Sequence, residues 1–224
     1  MTFEETMAQL ESMGTEQNRK VYRRHGAGEN QFGVSMANLR KLAKQIKKDQ
    51  VLVEALWRSR NQDARSLATL IADPTAMSQA DIDGWAWELD YYVVTDLFTS
   101  NLASACPFAT ELSTTWCDAD HEYVEQAGWN LVALLAMKDR SIPDDWFDKR
   151  LQRIERDIKS AKNRVRHAMN GALIGIGLRS ASFAAAAKAA AGRIGKVEVD
   201  HGETGCVTPD AVPYIDKAWD RRRA

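Results

Sequence analysis

Two arginines and a histidine stand at the start of an otherwise apolar helix, in the run Asn163-Arg164-Val165-Arg166-His167-Ala168-Met169-Asn170 followed by Ala172-Leu173-Ile174-Gly175-Ile176. Cations at a helix N-terminus oppose the macrodipole. Their presence implies an anion facing them, and phosphate suits a guanidinium. Arg65 stands near the start of a second such helix, and Lys159 and Lys162 occupy the turn before Asn163. Arg65, Lys162, Arg164 and Arg166 are therefore candidate contacts to a nucleic-acid backbone. The competing reading pairs the arginines with Asp63 or Asp157 in exposed salt bridges. His167 reads as a capping or packing residue. A second polar cluster, Asp200, His201, Glu203 and Cys206, lies in the Gly-rich stretch from Gly195 to Pro209. One histidine and one cysteine without a second pair do not make a zinc pattern, so neither metal nor cofactor is expected. The segment reads as a structured loop that lays a last helix, Pro209 to Arg223, back on the core.

Helical periodicity must position these groups. Ser35 precedes Leu39, Leu42, Ala43 and Ile46 as an N-cap. Val51–Trp57 and Asp63–Ala72 follow, the latter stopped by Asp73-Pro74. Ser78 to Trp87 opens with a box formed by Ser78 and Asp81. Further helices are expected over Asp90–Ala103, Pro107–Trp116, His121–Met137, Pro143–Lys159, Asn163–Gly177 and Ser180–Gly192. Period-2 alternation is confined to Lys196-Val197-Glu198-Val199. Helices beginning near Asp63, Asp90, Glu125 and Asn163 start 27, 35 and 38 residues apart, each preceded by another helix. Antiparallel pairs at that period predict an all-α, right-handed solenoid of HEAT/ARM-like repeats with a concave face. An irregular helical bundle is the plainer alternative. Residues 1–194 are expected to form the repeat domain, with 195–224 as a loop and helix packed on it. Trp85, Trp87, Trp116 and Trp146 follow helical stripes and read as packing between repeats.

Charge is more telling in its distribution than in its net value of −1. Residues 19–60 carry +8, residues 61–148 carry −13 and residues 149–179 carry +7. Two basic blocks flanking an acidic middle can grip a phosphate backbone at two places. They can equally be solvated outer faces of separate helices. No apolar run reaches the roughly 18 residues of a membrane span, and the start Met1-Thr2-Phe3-Glu4-Glu5 lacks a signal-peptide core. A cytoplasmic protein is expected, nucleoid-associated when acting. Cys106, Cys117 and Cys206 read as reduced thiols.

The segments Gln31-Phe32-Gly33-Val34-Ser35, Leu39-Arg40-Lys41-Leu42-Ala43-Lys44, Ala55-Leu56-Trp57 and Asp63-Ala64-Arg65-Ser66-Leu67-Ala68 resemble the N-terminal half of the AlkD-like DNA alkylation repair proteins. These are HEAT-like repeat DNA glycosylases, and the resemblance runs over roughly residues 15–180. It implies excision of N3- or N7-alkylated purines from double-stranded DNA held in the concave face, without metal or cofactor, by a monomer. It carries the catalytic carboxylate onto Asp96 and the aromatic one turn before it onto Tyr92. An alkylated purine is already a cationic leaving group. A carboxylate there would stabilise the oxocarbenium-like sugar and orient water, and the aromatic face would support the charge. Tyr22 matches a further family aromatic. Gln126 stands where the family has a backbone-positioning arginine, and Gly171 where it has a second lesion-facing tryptophan. Trp129 is the candidate replacement for that tryptophan. Two other functions fit the same residues: a non-catalytic nucleic-acid-binding solenoid, and a helical repeat whose acidic middle faces a basic protein.

Overall fold

The computed structural model describes residues 1–46 and 48–223, and every regular element among them is helical. Polar caps set most of the early helix starts. Thr2 and Ser78 open α1 (Phe3–Met13) and α6 (Gln79–Trp87) through capping boxes closed by Glu5 and Asp81. Thr15, Ser35, Asp49 and Asn61 open α2 (Glu16–Arg24), α3 (Met36–Gln45), α4 (Gln50–Arg58) and α5 (Gln62–Ile71). Each cap side chain accepts a first-turn N–H that would otherwise lack a partner. α7 (Tyr92–Asn101) runs into a single 3₁₀ turn, Ala103–Ala105. α8 (Ala109–Trp116), α9 (Glu122–Lys138), α10 (Asp144–Asp157), α11 (Asn163–Gly177), α12 (Ala181–Ile194) and α13 (Ala211–Arg223) complete the chain. The helices anticipated from Ser35 onward are all present. α1 and α2 were not anticipated. Lys196–Val199 is irregular, and no strand lies among the described residues to complete a ladder with it. No helix among the described residues is long and apolar enough to cross a membrane.

The chain divides into two compact units, Met1–Pro107 with His201–Gly205, and Phe108–Asp200 with Cys206–Ala224. In the first, α5 is the central element and packs on α3, α4 and α7. It is buried almost from end to end, so its polar residues must find partners inside. Trp57 of α4 stacks on Trp85 of α6 with ring centroids 4.1 Å apart. Trp85 thus packs as expected, whereas Trp87 is half exposed.

In the second unit, α9 packs along α11 at close range. A Cβ on Gly175 would lie 2.8 Å from the Ala133 backbone, so only glycine permits this approach. α13 packs on α11 and α12, and its Trp219 donates to the Gly177 carbonyl at 3.0 Å. Buried Arg179 donates to the carbonyls of Asp139 and Ile142 and pairs with Asp144.

Candidate functional site

The buried first turn of α5 organises a cavity in the first unit. The Asp63 carboxylate accepts backbone N–H groups from Phe32, Gly33 and Val34 at 2.6, 3.0 and 2.9 Å. Gly33 sits at φ +78°, where a Cβ would lie 2.6 Å from the Thr15 carbonyl oxygen. Carboxylate and glycine together fix the segment that enters α3. Burial pushes the Asp63 carboxyl above its ordinary range, against the pull of its backbone donors. With Val34 held, its carbonyl accepts the Tyr22 hydroxyl at 2.8 Å. Burial, and then the charge on Asp63, raise the Tyr22 phenol.

Tyr22 and Tyr92 both line this cavity of about 230 Å³, with Tyr91, His25, Gln62 and the inner residues Met36 and Leu39 of α3. The Tyr92 hydroxyl is 2.6 Å from His25 Nδ1, and the Tyr91 ring meets Tyr92 edge-on at 5.3 Å. Asp96 lies one turn further along α7 with its side chain exposed. Spacing of four on a helix puts it on the Tyr92 face. The outer face of α3 carries exposed Arg40, Lys41 and Lys44. None of the three makes an ion pair among the described residues, in contrast to Lys48, which pairs with Asp73 at 2.8 Å. α3 is thus amphipathic, with an apolar side walling the cavity and a cationic side toward solvent.

The sequence profile of the family described as DNA alkylation repair enzyme matches residues 6–193. The chain belongs to that family. A solved structure with TM-score 0.90 and 30% identity covers 100% of this chain and 96% of its own. It is described as representing a new family of proteins related to the HEAT-like repeat DNA glycosylases, with affinity for branched DNA structures. The fold of this family member is accordingly all-α and HEAT-like. Uncharacterized proteins of Listeria monocytogenes and Listeria innocua are each 26% identical, covering 100% and 99% of both chains respectively.

Several site residues expected of a family member lie elsewhere than on a ligand-facing surface. Trp129 is fully buried beneath the Arg153 guanidinium, and Gln126 is 2% exposed. Neither reaches a lesion or a phosphate while α9 is folded. Gly171 is exposed, and a Cβ there would meet open space, so its position is solvent-facing but bears no side chain.

Arg65 is an interior residue, not a surface cation. It is 1% exposed and donates to the Trp57 carbonyl, the Glu88 carbonyl and the Glu88 carboxylate. Its guanidinium lies 4.7 Å over the Trp57 ring. Arg65 ties α4 to the end of α6, and its burial keeps the guanidinium from a phosphate in solvent.

The α11 start has its own anion. The Glu122 carboxylate accepts the Arg164 backbone N–H at 2.7 Å. Arg166 is half-buried and donates to the Ala161 and Glu198 carbonyls. Lys162 pairs with Asp120 at 2.6 Å. The cations that looked unexplained in sequence are thus partly answered within the chain. Of the aromatic and acidic candidates, Tyr22 and Tyr92 come together, with Asp96 adjacent on α7. Sequence reasoning missed His25, Gln62 and the clamp by Asp63; the glycine at 33 was the one available signal for that clamp.

Proposed function

We propose that this protein binds DNA, favours branched over linear DNA, and does not excise alkylated bases. The observation that carries this reading is the row of exposed cations Arg40, Lys41 and Lys44 on the outer face of α3, without ion pairs among the described residues. Such a row neutralises phosphates and gives affinity without base readout. Membership of the DNA alkylation repair family, and the branched-DNA affinity described for the structural relative, support the choice of ligand. Burial of Trp129 and the glycine at 171 argue against a lesion sandwiched between aromatics. The test is fluorescence anisotropy with a four-way junction and a linear duplex of equal length. Tighter binding of the junction is expected, and equal or absent binding would refute the reading.

A second reading, excision of N3- or N7-alkylated purines, is favoured by one observation: the Asp96 carboxylate is exposed one turn from Tyr92. It predicts base release from a methylated duplex, abolished by Asp96→Asn.

A further inference from the structure

We infer that Arg150 and Thr114 form a phosphate-binding site in the second compact unit. In the DNA-binding reading above, on which this rests, the phosphate belongs to a second arm of a branched DNA. Arg150 stands on α10 and Thr114 on α8. The half-buried Arg150 guanidinium lies 3.1 Å over the Trp146 ring. Its Nη1 donates to the Trp146 carbonyl at 3.1 Å, and its Nη2 donates to the Thr114 hydroxyl at 2.8 Å. These contacts fix the guanidinium in place but bring it no negative charge.

No carboxylate pairs with Arg150 among the described residues, whereas Arg65, Arg153 and Arg179 each pair with one. The groups that act on its charge do not fill the gap. Asp118 is taken by Arg153. Burial pushes the Cys117 thiol up to about 12, so it stays protonated and neutral. Arg153 adds a like charge. Burial lowers Arg150 itself to about 10, as for a cation whose desolvation no partner offsets. A bound anion would supply that partner. Nη1 and Nη2 carry two N–H groups each and spend one each within the chain, so two remain for the oxygens of a phosphate. The bond to Thr114 lies at the surface, where a ligand can reach it. Arg150 also belongs to the second basic block, residues 149–179, while the α3 cations belong to the first. One phosphate contact in each unit makes the protein bivalent, and a second contact strengthens binding once the first is made. A linear duplex offers one arm and a junction offers several, which gives the preference for branched DNA a physical source.

The test uses the full chain, a four-way junction and a linear duplex of equal length. Arg150→Gln removes the cation, and Thr114→Glu places a carboxylate beside it at an exposed position. Each variant should weaken junction binding about tenfold, the loss of one charge-assisted hydrogen bond, and leave linear-duplex binding unchanged. Should Arg150→Gln fail to fold, Thr114→Glu decides. A parallel titration with inorganic phosphate follows the Arg150 side-chain N–H signals by NMR. They should shift in wild type and stay still in Thr114→Glu. Unchanged junction binding in the variants and no phosphate shift overturn the site while leaving DNA binding intact. Phosphate shifts with unchanged junction binding support the site, assign it to free phosphate and refute the second arm. An equal loss on both DNAs also refutes the second arm. No junction binding by wild type refutes the DNA reading, and the phosphate shifts then decide the site alone.

Discussion

Replacing Asp63 with alanine removes one acceptor from three backbone donors at once. The Gly33 and Val34 bonds are buried and the Phe32 bond is partly so. Each buried N–H left unpaired costs about 1–3 kcal/mol. The carboxylate's own desolvation, the main reason its pKa is raised, offsets part of that loss. A net destabilisation of about 3 kcal/mol remains, from the lower end of the hydrogen-bond range. At about 2–4 °C per kcal/mol for a chain of this size, Tm should fall by roughly 6–12 °C. Asparagine cannot rescue it fully. Oδ2 of Asp63 takes Phe32 and Gly33 while Oδ1 takes Val34, so an amide would turn its NH₂ toward at least one N–H. Circular dichroism melts should rank wild type above Asp63→Asn and Asp63→Ala. Amide exchange at Gly33 and Val34 should quicken in both variants. A Tm within about 2 °C of wild type, with unchanged exchange at those amides, would refute the claim that Asp63 clamps the cavity wall.

Arg65→Met should destabilise by about 3 kcal/mol, because the Trp57 and Glu88 carbonyls lose buried donors. Its junction affinity, measured below the melting range, should match wild type; a large loss would restore Arg65 as a DNA contact. Burial raises the Cys106 and Cys117 thiols to about 11 and about 12, while Cys206 is exposed. At pH 8 a thiol reagent should therefore modify one cysteine rapidly in the native protein and all three after denaturation, and rapid native modification of all three would contradict the packing. Asp73 is lowered from 3.8 to about 2, first by the hydrogen bond from Lys48 and then by Thr75. Its folded value lies below its unfolded one, so its contribution is present above about pH 4 and fades as pH falls toward 2. Lys48→Met should return the NMR-observed Asp73 midpoint toward 3.8, and an unmoved midpoint would dismiss the pair.

Most of the helices were legible in the sequence because caps and apolar period agreed. Ser35 and Ser78, with Asp81 closing its box, mark starts that the structure reproduces. α2 was not read because it buries no residue and so lacks an apolar stripe. The site was legible only in part. Tyr22 and Tyr92 come from helices far apart in the chain, and only the family resemblance joined them beforehand. Arg65 illustrates the converse. An arginine on the first turn of a helix looks solvent-facing in sequence, yet α5 is buried on all sides and its guanidinium turns to Trp57 and Glu88. The cations of α11 raised a real electrostatic question, and the anion at that helix start proved to be Glu122, forty-two residues away. Spacing along a chain cannot reveal an acceptor supplied by another helix. Trp129 falls on the same lesson, since a tryptophan near a candidate site has no sequence mark that distinguishes core from surface.

The salt dependence of four-way-junction affinity tests the central claim most directly. Wild type should lose affinity linearly in logarithmic plots as salt rises, and the triple variant Arg40→Gln, Lys41→Gln, Lys44→Gln should bind more weakly with a slope smaller by about 2–3, close to one unit per phosphate neutralised. A triple variant with wild-type affinity and an unchanged slope would contradict the account.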